Sequence, residues 1–88
     1  MENKRRDRLY IISEILSICK DGSLKTQIMY KANLSFAQLN EYIDFLIKIE
    51  LITIQKESGK NVYRITAKGQ KYLEKYKDIS EILGNTDS

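Results

Sequence analysis

The side chains best suited to chemistry in this sequence are amides and cations, and they lie in two places. Gln38 and Asn40 form the first group, and a carboxamide of this kind can bond an adenine edge through two hydrogen bonds. The second group surrounds Gly59 and consists of Lys56, Lys60, Asn61 and Arg64. Cations beside a chain reversal suit phosphate or the minor groove of a duplex. Both groups indicate binding of a polyanion, and neither is typical of a reaction centre.

The sequence lacks the residues that most enzymes use. There is no His and only one Cys, Cys19, so neither a Cys–His nucleophile nor a zinc site can form. The four Gly residues include no phosphate-binding loop motif. Two carboxylates could in principle cleave a glycosidic bond, but so small a domain rarely holds the necessary cleft. We expect no enzyme activity, no cofactor, no metal and no small-molecule ligand.

Length and composition predict one soluble domain. The chain has 88 residues, of which 42% are apolar and 31% are charged. No apolar run reaches the length of a membrane span and no signal-peptide pattern opens the chain, so the expected location is the cytoplasm. Fifteen Lys and Arg against twelve Asp and Glu leave a net charge of +3. A slightly basic chain favours polyanions only weakly, so charge alone identifies no partner.

Hydrophobic periodicity predicts three helices in the first part of the chain. The first runs over 7–20, with apolar residues three and four apart, and Gly22 ends it. Its inner positions are Leu9, Ile12, Ile15, Leu16 and Cys19. We interpret Cys19 as core filler on this stripe.

A short second helix is expected from a Ser23 cap to Lys31, with a left-handed exit at Asn33. Ser35 and Gln38 then form a capping box that opens a third helix over 35–49. The inner face of that helix comprises Leu39, Tyr42, Ile43, Leu46 and Ile47. Its outer face comprises Ala37, Asn40, Glu41, Asp44 and Lys48.

The apolar period then changes from helical to alternating. Residues 52–56 and 63–65 alternate as strands do, and the polar stretch 57–61 between them predicts a hairpin tip. Thr66 caps a last helix over 67–83. We therefore divide the chain into a basic N-terminal arm (1–7), a body (8–66), a dimerisation helix (67–83) and a flexible tail (84–88).

The predicted fold is mainly α with a two-stranded β-hairpin, in the order α-α-α-β-β-α. Two helices joined by a tight turn and followed by a hairpin make a winged helix-turn-helix, whose third helix can enter a major groove. The alternative is a small helical bundle with an incidental hairpin. The capping box, the polar outer face and the basic hairpin favour the winged helix, because all three lie where a DNA-binding domain of this kind needs them.

The stretch from Ile15 to Phe36, with its string Lys25-Thr26-Gln27-Ile28-Met29-Tyr30-Lys31-Ala32-Asn33-Leu34-Ser35, resembles an archaeal winged-helix family of small, basic DNA-binding proteins. The likeness continues through Leu39, Tyr42, Leu46, Leu51-Ile52 and 63–69. It implies a homodimeric DNA-binding protein, of the chromatin or transcription-regulator type and associated with the nucleoid, that pairs through its C-terminal helix. Two features depart from the family: Glu41 and Asp44 place negative charge on the outer face of the third helix, and the last helix is shorter.

The candidate DNA-binding residues are Lys25, Thr26, Ser35, Phe36, Ala37, Gln38, Asn40, Lys56, Lys60, Asn61 and Arg64. Several of them have a second interpretation. Thr26 is a phosphate contact or only a first-turn residue, and Ser35 caps its helix or contacts phosphate. Phe36 touches DNA or packs beneath the second helix. The cations Lys4, Arg5, Arg6 and Arg8 form an arm on DNA or merely an unstructured start.

Two functions of different class follow. The first is double-stranded DNA binding, with helix 35–49 in the major groove and wing 56–61 on the backbone or minor groove. The second is a protein–protein interaction module that binds no DNA, which Glu41 and Asp44 favour. In either case the last helix carries an apolar seam at heptad spacing, predicted to join two copies: Tyr72, Tyr76, Ile79 and Leu83.

Overall fold

The computed structural model describes residues 7–87, with side chains as far as residue 84. Its elements are α1 (Arg8–Ile18), a 3-10 turn (Cys19–Asp21), α2 (Lys25–Ala32), α3 (Phe36–Lys48), β1 (Ile52–Glu57), β2 (Lys60–Ile65) and α4 (Ala67–Asp87). This order confirms the predicted winged helix-turn-helix. Of the predicted arm, residues 1–6 lie outside the described part of the chain, and Asp7 caps α1 by accepting a hydrogen bond from the Tyr10 N–H.

The first helix follows its predicted stripe with one exception. Ile12, Ile15, Leu16 and Cys19 are buried, and Gly22, at φ 89°, ends the 3-10 turn with a positive backbone angle that glycine tolerates. Leu9 was predicted to be inward, and this is wrong, because its side chain is 56% exposed. Leu9 shares the face of Leu16, but it lies in the first turn of α1, where its side chain stays more than half exposed.

The turn into α2 differs from the sequence prediction. Ser23 does not cap α2, because its backbone N–H and C=O both pair with Tyr63 on β2. Its hydroxyl donates to the Ile18 carbonyl at 2.9 Å. The helix begins one residue later, after Leu24, whose N–H donates to the Gln27 side chain. Ser23 thus adds a single bridge to the outer edge of the hairpin.

The turn into α3 forms as predicted. Asn33 adopts the left-handed conformation at φ 57° and ψ 51°. The Gln38 N–H donates to the Ser35 hydroxyl, and the Ser35 N–H donates to the Gln38 side-chain oxygen. Both groups would otherwise lack partners at a helix start. This capping box fixes the direction in which α3 leaves the turn.

The wing is a regular antiparallel hairpin. Its register pairs Ile52 with Ile65 and Glu57 with Lys60, so only Ser58 and Gly59 form the loop. Both loop residues have positive φ, at 54° and 78°, as a tight two-residue hairpin loop requires. The predicted tip of 57–61 is therefore too long, because strand pairing reaches Glu57 on one side and Lys60 on the other.

The last helix is anchored at its start and extends beyond the domain. Thr66 accepts a hydrogen bond from the Gly69 N–H at 3.0 Å and donates one to the Glu50 carbonyl. Leu73 is buried, whereas every residue over 77–84 is exposed. The helix runs to Asp87, four residues beyond the predicted helix end at 83. A helix of 21 residues is about 32 Å long at 1.5 Å per residue.

Candidate nucleic-acid interface

The start of α3 carries a cluster built from two helices. Lys25 is the first residue of α2, and its ammonium donates a 2.6 Å hydrogen bond to the Asn40 side-chain oxygen. The same nitrogen lies 5.5 Å from the centre of the Phe36 ring, within the range of a cation–π contact. We call Lys25, Phe36 and Asn40 the α2–α3 cluster. It holds one cation, one amide and one aromatic ring at the predicted DNA-facing end of α3.

The contact with Lys25 sets the orientation of the Asn40 amide. An ammonium group only donates hydrogen bonds, so the Asn40 oxygen must face it. The amide nitrogen, with its two N–H donors, then points to the other side. The oxygen keeps a second lone pair, so the amide retains both a donor and an acceptor, as adenine recognition requires.

The other predicted DNA contacts at the start of α3 differ in whether they already form hydrogen bonds within the chain. Ser35 caps its helix, as one of its two interpretations predicts, and the Gln38 side-chain oxygen accepts a hydrogen bond in the same capping box. Phe36 is 58% exposed and so does not pack beneath α2. Thr26 and Ala37 are exposed.

The outer face of α3 carries both signs of charge. Glu41, Asp44 and Lys48 are exposed on it, as the pattern predicts. The inner residues Leu39, Ile43 and Leu46 are buried. The two carboxylates thus lie on the surface that would meet a duplex.

In the wing, Arg64 forms hydrogen bonds with other residues of the chain. Its guanidinium donates to the Glu57 carboxylate at 2.9 Å, to the Gln55 side chain at 3.0 Å and to the Asp21 carbonyl at 3.0 Å. These bonds tie β2 to β1 and to the end of the 3-10 turn. Arg64, predicted as a DNA contact, therefore braces the wing.

The other cations of the wing are more available than Arg64. Lys56, Lys60 and Asn61 are exposed. Within residues 7–84, the ammonium groups of Lys56 and Lys60 have no hydrogen bond or ion pair. The wing thus presents two lysines to solvent, one on each strand.

Arg8 occupies a position that the sequence did not indicate. As the first residue of α1, it places its guanidinium 5.4 Å from the Tyr42 ring centre and 5.5 Å from that of Phe45. Both rings belong to α3. No local pattern predicts this contact, because α1 and α3 meet only in the folded chain.

Part of the predicted dimer seam of α4 packs on its own domain, and the rest is exposed to solvent. Tyr72 is half-buried, stacks on Tyr76 with ring centres 6.4 Å apart, and directs its hydroxyl at the Leu9 carbonyl. Burial raises the pKa of Tyr72, and the nearby Tyr76 and Asp7 raise it further. Ile79 and Leu83 are 57% and 60% exposed. Tyr72 thus packs on its own domain, and the exposed apolar side chains lie further along α4.

Two further properties of residues 7–87 concern the Cys19 thiol and the apolar length of the helices. Burial raises the pKa of the Cys19 thiol to about 12, so the thiol remains protonated at neutral pH, in agreement with its interpretation as core filler. The helices in this range include none long and apolar enough to cross a membrane.

The chain is similar to two archaeal proteins and to several solved structures. It is 38% identical to the Methanocaldococcus jannaschii protein MJ0287, with 94% of this chain and 89% of that protein aligned. It is 40% identical to MJ0290 of the same organism, but it spans only 36% of that protein. Sso10a-2, a DNA-binding protein from Sulfolobus solfataricus, superposes with a TM-score of 0.82 at 26% identity, over 92% of this chain and 85% of Sso10a-2.

A more distant structure shares the fold alone. A mutant of S. aureus MepR bound to an oligodeoxyribonucleotide superposes with a TM-score of 0.73 at 15% identity, over 89% of this chain and 59% of that one. The sequence profile described as winged helix-turn-helix matches residues 5–84. With that match and the 38% identity to an archaeal relative over nearly its whole length, the chain belongs to the winged helix-turn-helix family.

Proposed function

We propose that this chain binds double-stranded DNA as a homodimer and acts as a transcription regulator or chromatin-type protein. Helix 35–49 enters the major groove, and wing 56–61 lies on the backbone or minor groove. The observation that carries the proposal is the α2–α3 cluster, in which Lys25 holds the Asn40 amide in position beside the exposed Phe36 ring. The cluster combines a phosphate-binding cation with an amide that can read a base.

The similar structures support the same function. Sso10a-2 is described as a DNA-binding protein, and a MepR mutant was solved with an oligodeoxyribonucleotide. In the wing, Lys56 and Lys60 offer exposed ammonium groups on neighbouring strands. Such cations add affinity that is independent of sequence, because they neutralise phosphates and release counterions.

The dimer is proposed from the exposed part of α4. Ile79, Ile82 and Leu83 are each more than half exposed, on a helix that extends past the domain. Apolar side chains gathered on such a surface usually mark a contact. A two-fold dimer would present two α3 helices, and binding both requires half-sites one helical turn, or a multiple of it, apart.

A salt-titrated binding assay tests the DNA proposal. Random-sequence duplex DNA carrying a fluorescent label is titrated with the full chain at several salt concentrations. We expect log K to fall linearly with log salt, by about 0.9 for each phosphate neutralised. No binding near 50 mM salt by a folded chain would contradict the proposal.

Protein–protein contact is the second candidate, and the observation that favours it is the exposed pair Glu41 and Asp44. Carboxylates on this face suit a basic partner and repel phosphates. The variant Glu41→Gln with Asp44→Asn separates the two functions. If α3 meets DNA, the variant binds duplexes more tightly, and more so at low salt. If the face serves a basic protein, DNA affinity is unchanged and binding of a model polycation, polylysine, is lost.

A further inference from the structure

We propose that Arg8 is a second phosphate-binding side chain, which contacts the DNA strand on the opposite side of the major groove from the strand that Lys25 contacts. The inference rests on the proposed DNA binding and deepens it. Arg8 is the first residue of α1, at the start of the body in sequence, and the fold brings it against the middle of α3.

The arrangement of side chains around α3 is the first argument. At 3.6 residues per turn, consecutive residues are about 100° apart around the helix axis. On this scale the core residues Leu39, Ile43 and Leu46 mark one side, and the exposed residues Ala37, Glu41, Asp44 and Lys48 mark the opposite side. The two remaining sides are the flanks of the helix.

The two cations occupy these flanks. Phe36 and Asn40, which contact Lys25, lie on one flank. Tyr42 and Phe45, whose rings the Arg8 guanidinium contacts, lie on the other. The two pairs are separated by about 190° around the axis. The outer face of α3 is therefore bordered by Lys25 on one side and by Arg8 on the other.

The dimensions of the duplex suit this arrangement. The major groove of B-DNA is about 12 Å wide, and an α-helix with its side chains is about 10–12 Å across. A helix that fills the groove brings its flanks to the two phosphate backbones that border it. A cation on each flank then meets a different strand.

The chemistry of Arg8 is the second argument. Cation–π contacts with two aromatic rings hold the guanidinium beside α3 without occupying its N–H donors in hydrogen bonds. Within residues 7–84 these donors make no hydrogen bond and no ion pair, and Arg8 is exposed. A planar fork of N–H donors matches two oxygens of one phosphate. Arg8 is thus held in a form that can accept a phosphate without first losing a protein partner.

Two acidic side chains lie near Arg8. Glu41 lines a small cleft together with Arg8 and Tyr42, and the Asp7 carboxylate accepts from the Tyr10 N–H. Neither carboxylate forms an ion pair with Arg8 among the described residues. Both would lower the affinity of Arg8 for phosphate, so the test compares slopes as well as affinities.

The first experiment measures the salt dependence of binding for three single variants. Arg8→Ala is expected to lower the magnitude of the log K against log salt slope by about 1, as Lys25→Ala does. Arg8→Lys keeps the charge but loses the planar fork, so its slope stays near that of the wild type while its affinity falls. Lys20→Ala, in the 3-10 turn that follows α1, serves as the matched control and leaves the slope unchanged. Circular dichroism and thermal melting establish that each variant is folded.

The outcomes separate the inference from the proposed function. If Lys25→Ala lowers the slope and folded Arg8→Ala and Arg8→Lys both bind as the wild type does, the inference about Arg8 is wrong and DNA binding stands. If the wild type binds no duplex, the proposed function itself fails. Should Arg8→Ala not fold, Arg8→Gln, which keeps a planar end group, replaces it in the same comparison.

The second experiment tests the assignment to opposite strands. A preferred duplex is selected from a random pool, and single phosphates are replaced by uncharged methylphosphonates on one strand at a time. Within one half-site, the positions at which neutralisation no longer weakens binding by Arg8→Ala are expected on one strand, and those for Lys25→Ala on the other; a two-fold dimer exchanges the two strands in the second half-site. Both sets on the same strand of one half-site would overturn the inference.

Discussion

The ammonium of Lys25 lies 2.6 Å from the side-chain oxygen of Asn40 and joins the first turn of α2 to the second turn of α3. Because Lys25 also faces the Phe36 ring, three side chains from two helices share one position on the surface. The bond directs the donor end of the Asn40 amide away from α2. The proposed phosphate contact of Lys25 and the proposed base contact of Asn40 therefore depend on one shared hydrogen bond.

The different chemistry of the two side chains, an amide and an ammonium, predicts different effects of removing each one. Asn40→Ala is expected to reduce the preference for a selected adenine-containing site over random DNA by about 1–3 kcal/mol, with an unchanged salt slope. Lys25→Ala is expected to weaken binding to all duplexes and to lower the slope by about 1. Equilibrium titrations of both duplexes at several salt concentrations measure the two quantities. A preference unaltered in Asn40→Ala would place Asn40 outside the groove.

The position of Lys60 in the wing predicts that its removal changes the salt dependence of DNA binding, whereas removal of Lys77 on α4 does not. Lys60→Ala removes an exposed ammonium and is expected to weaken binding to all duplexes alike, with a slope smaller in magnitude by about 1. Lys77→Ala, on the exposed part of α4, is the matched control and should leave the slope unaltered. Equal slopes for wild type and folded Lys60→Ala would exclude Lys60 from the interface.

The exposed end of α4 predicts the oligomeric state. Sedimentation equilibrium of the full chain at micromolar concentration is expected to give the mass of a dimer, and Ile79→Asp combined with Leu83→Asp that of a monomer, because carboxylates would be buried in the contact. A monomer mass for the wild type refutes the dimer. A dimer mass in the double variant would place the contact elsewhere on the chain.

Two glycines of α4 predict opposite changes in stability. A Cβ on Gly69 would collide with the Leu51 carbonyl oxygen and with Ile65, whereas a Cβ on Gly84 would meet open space. Gly69→Ala is therefore expected to lower the free energy of unfolding by about 1–3 kcal/mol. Gly84→Ala should leave it unchanged or raise it by up to about 1 kcal/mol, as alanine favours helix. Urea denaturation followed by circular dichroism measures both, and a stable Gly69→Ala would show that α4 can shift away from Leu51.

Local features of the fold could be predicted from the sequence because they depend on neighbouring residues. The capping box of Ser35 and Gln38 spans four positions, and the left-handed exit at Asn33 depends on one residue. Helical and alternating apolar periods identified the four helices and the hairpin. Boundaries were less accurate, since the pairing of Glu57 with Lys60 shortens the loop and α4 continues to Asp87.

Only the tertiary structure decided which side chains remain available at the candidate interface. Arg64 is engaged by the Asp21 carbonyl, 43 positions away in sequence. Ser23 pairs with Tyr63 instead of capping α2, and Arg8 makes cation–π contacts with rings of α3 that no local pattern links to it. A sequence pattern shows which face of a helix is apolar, because that depends on spacing within the helix. The partner of a surface cation depends on where distant elements meet, which is determined when the core packs.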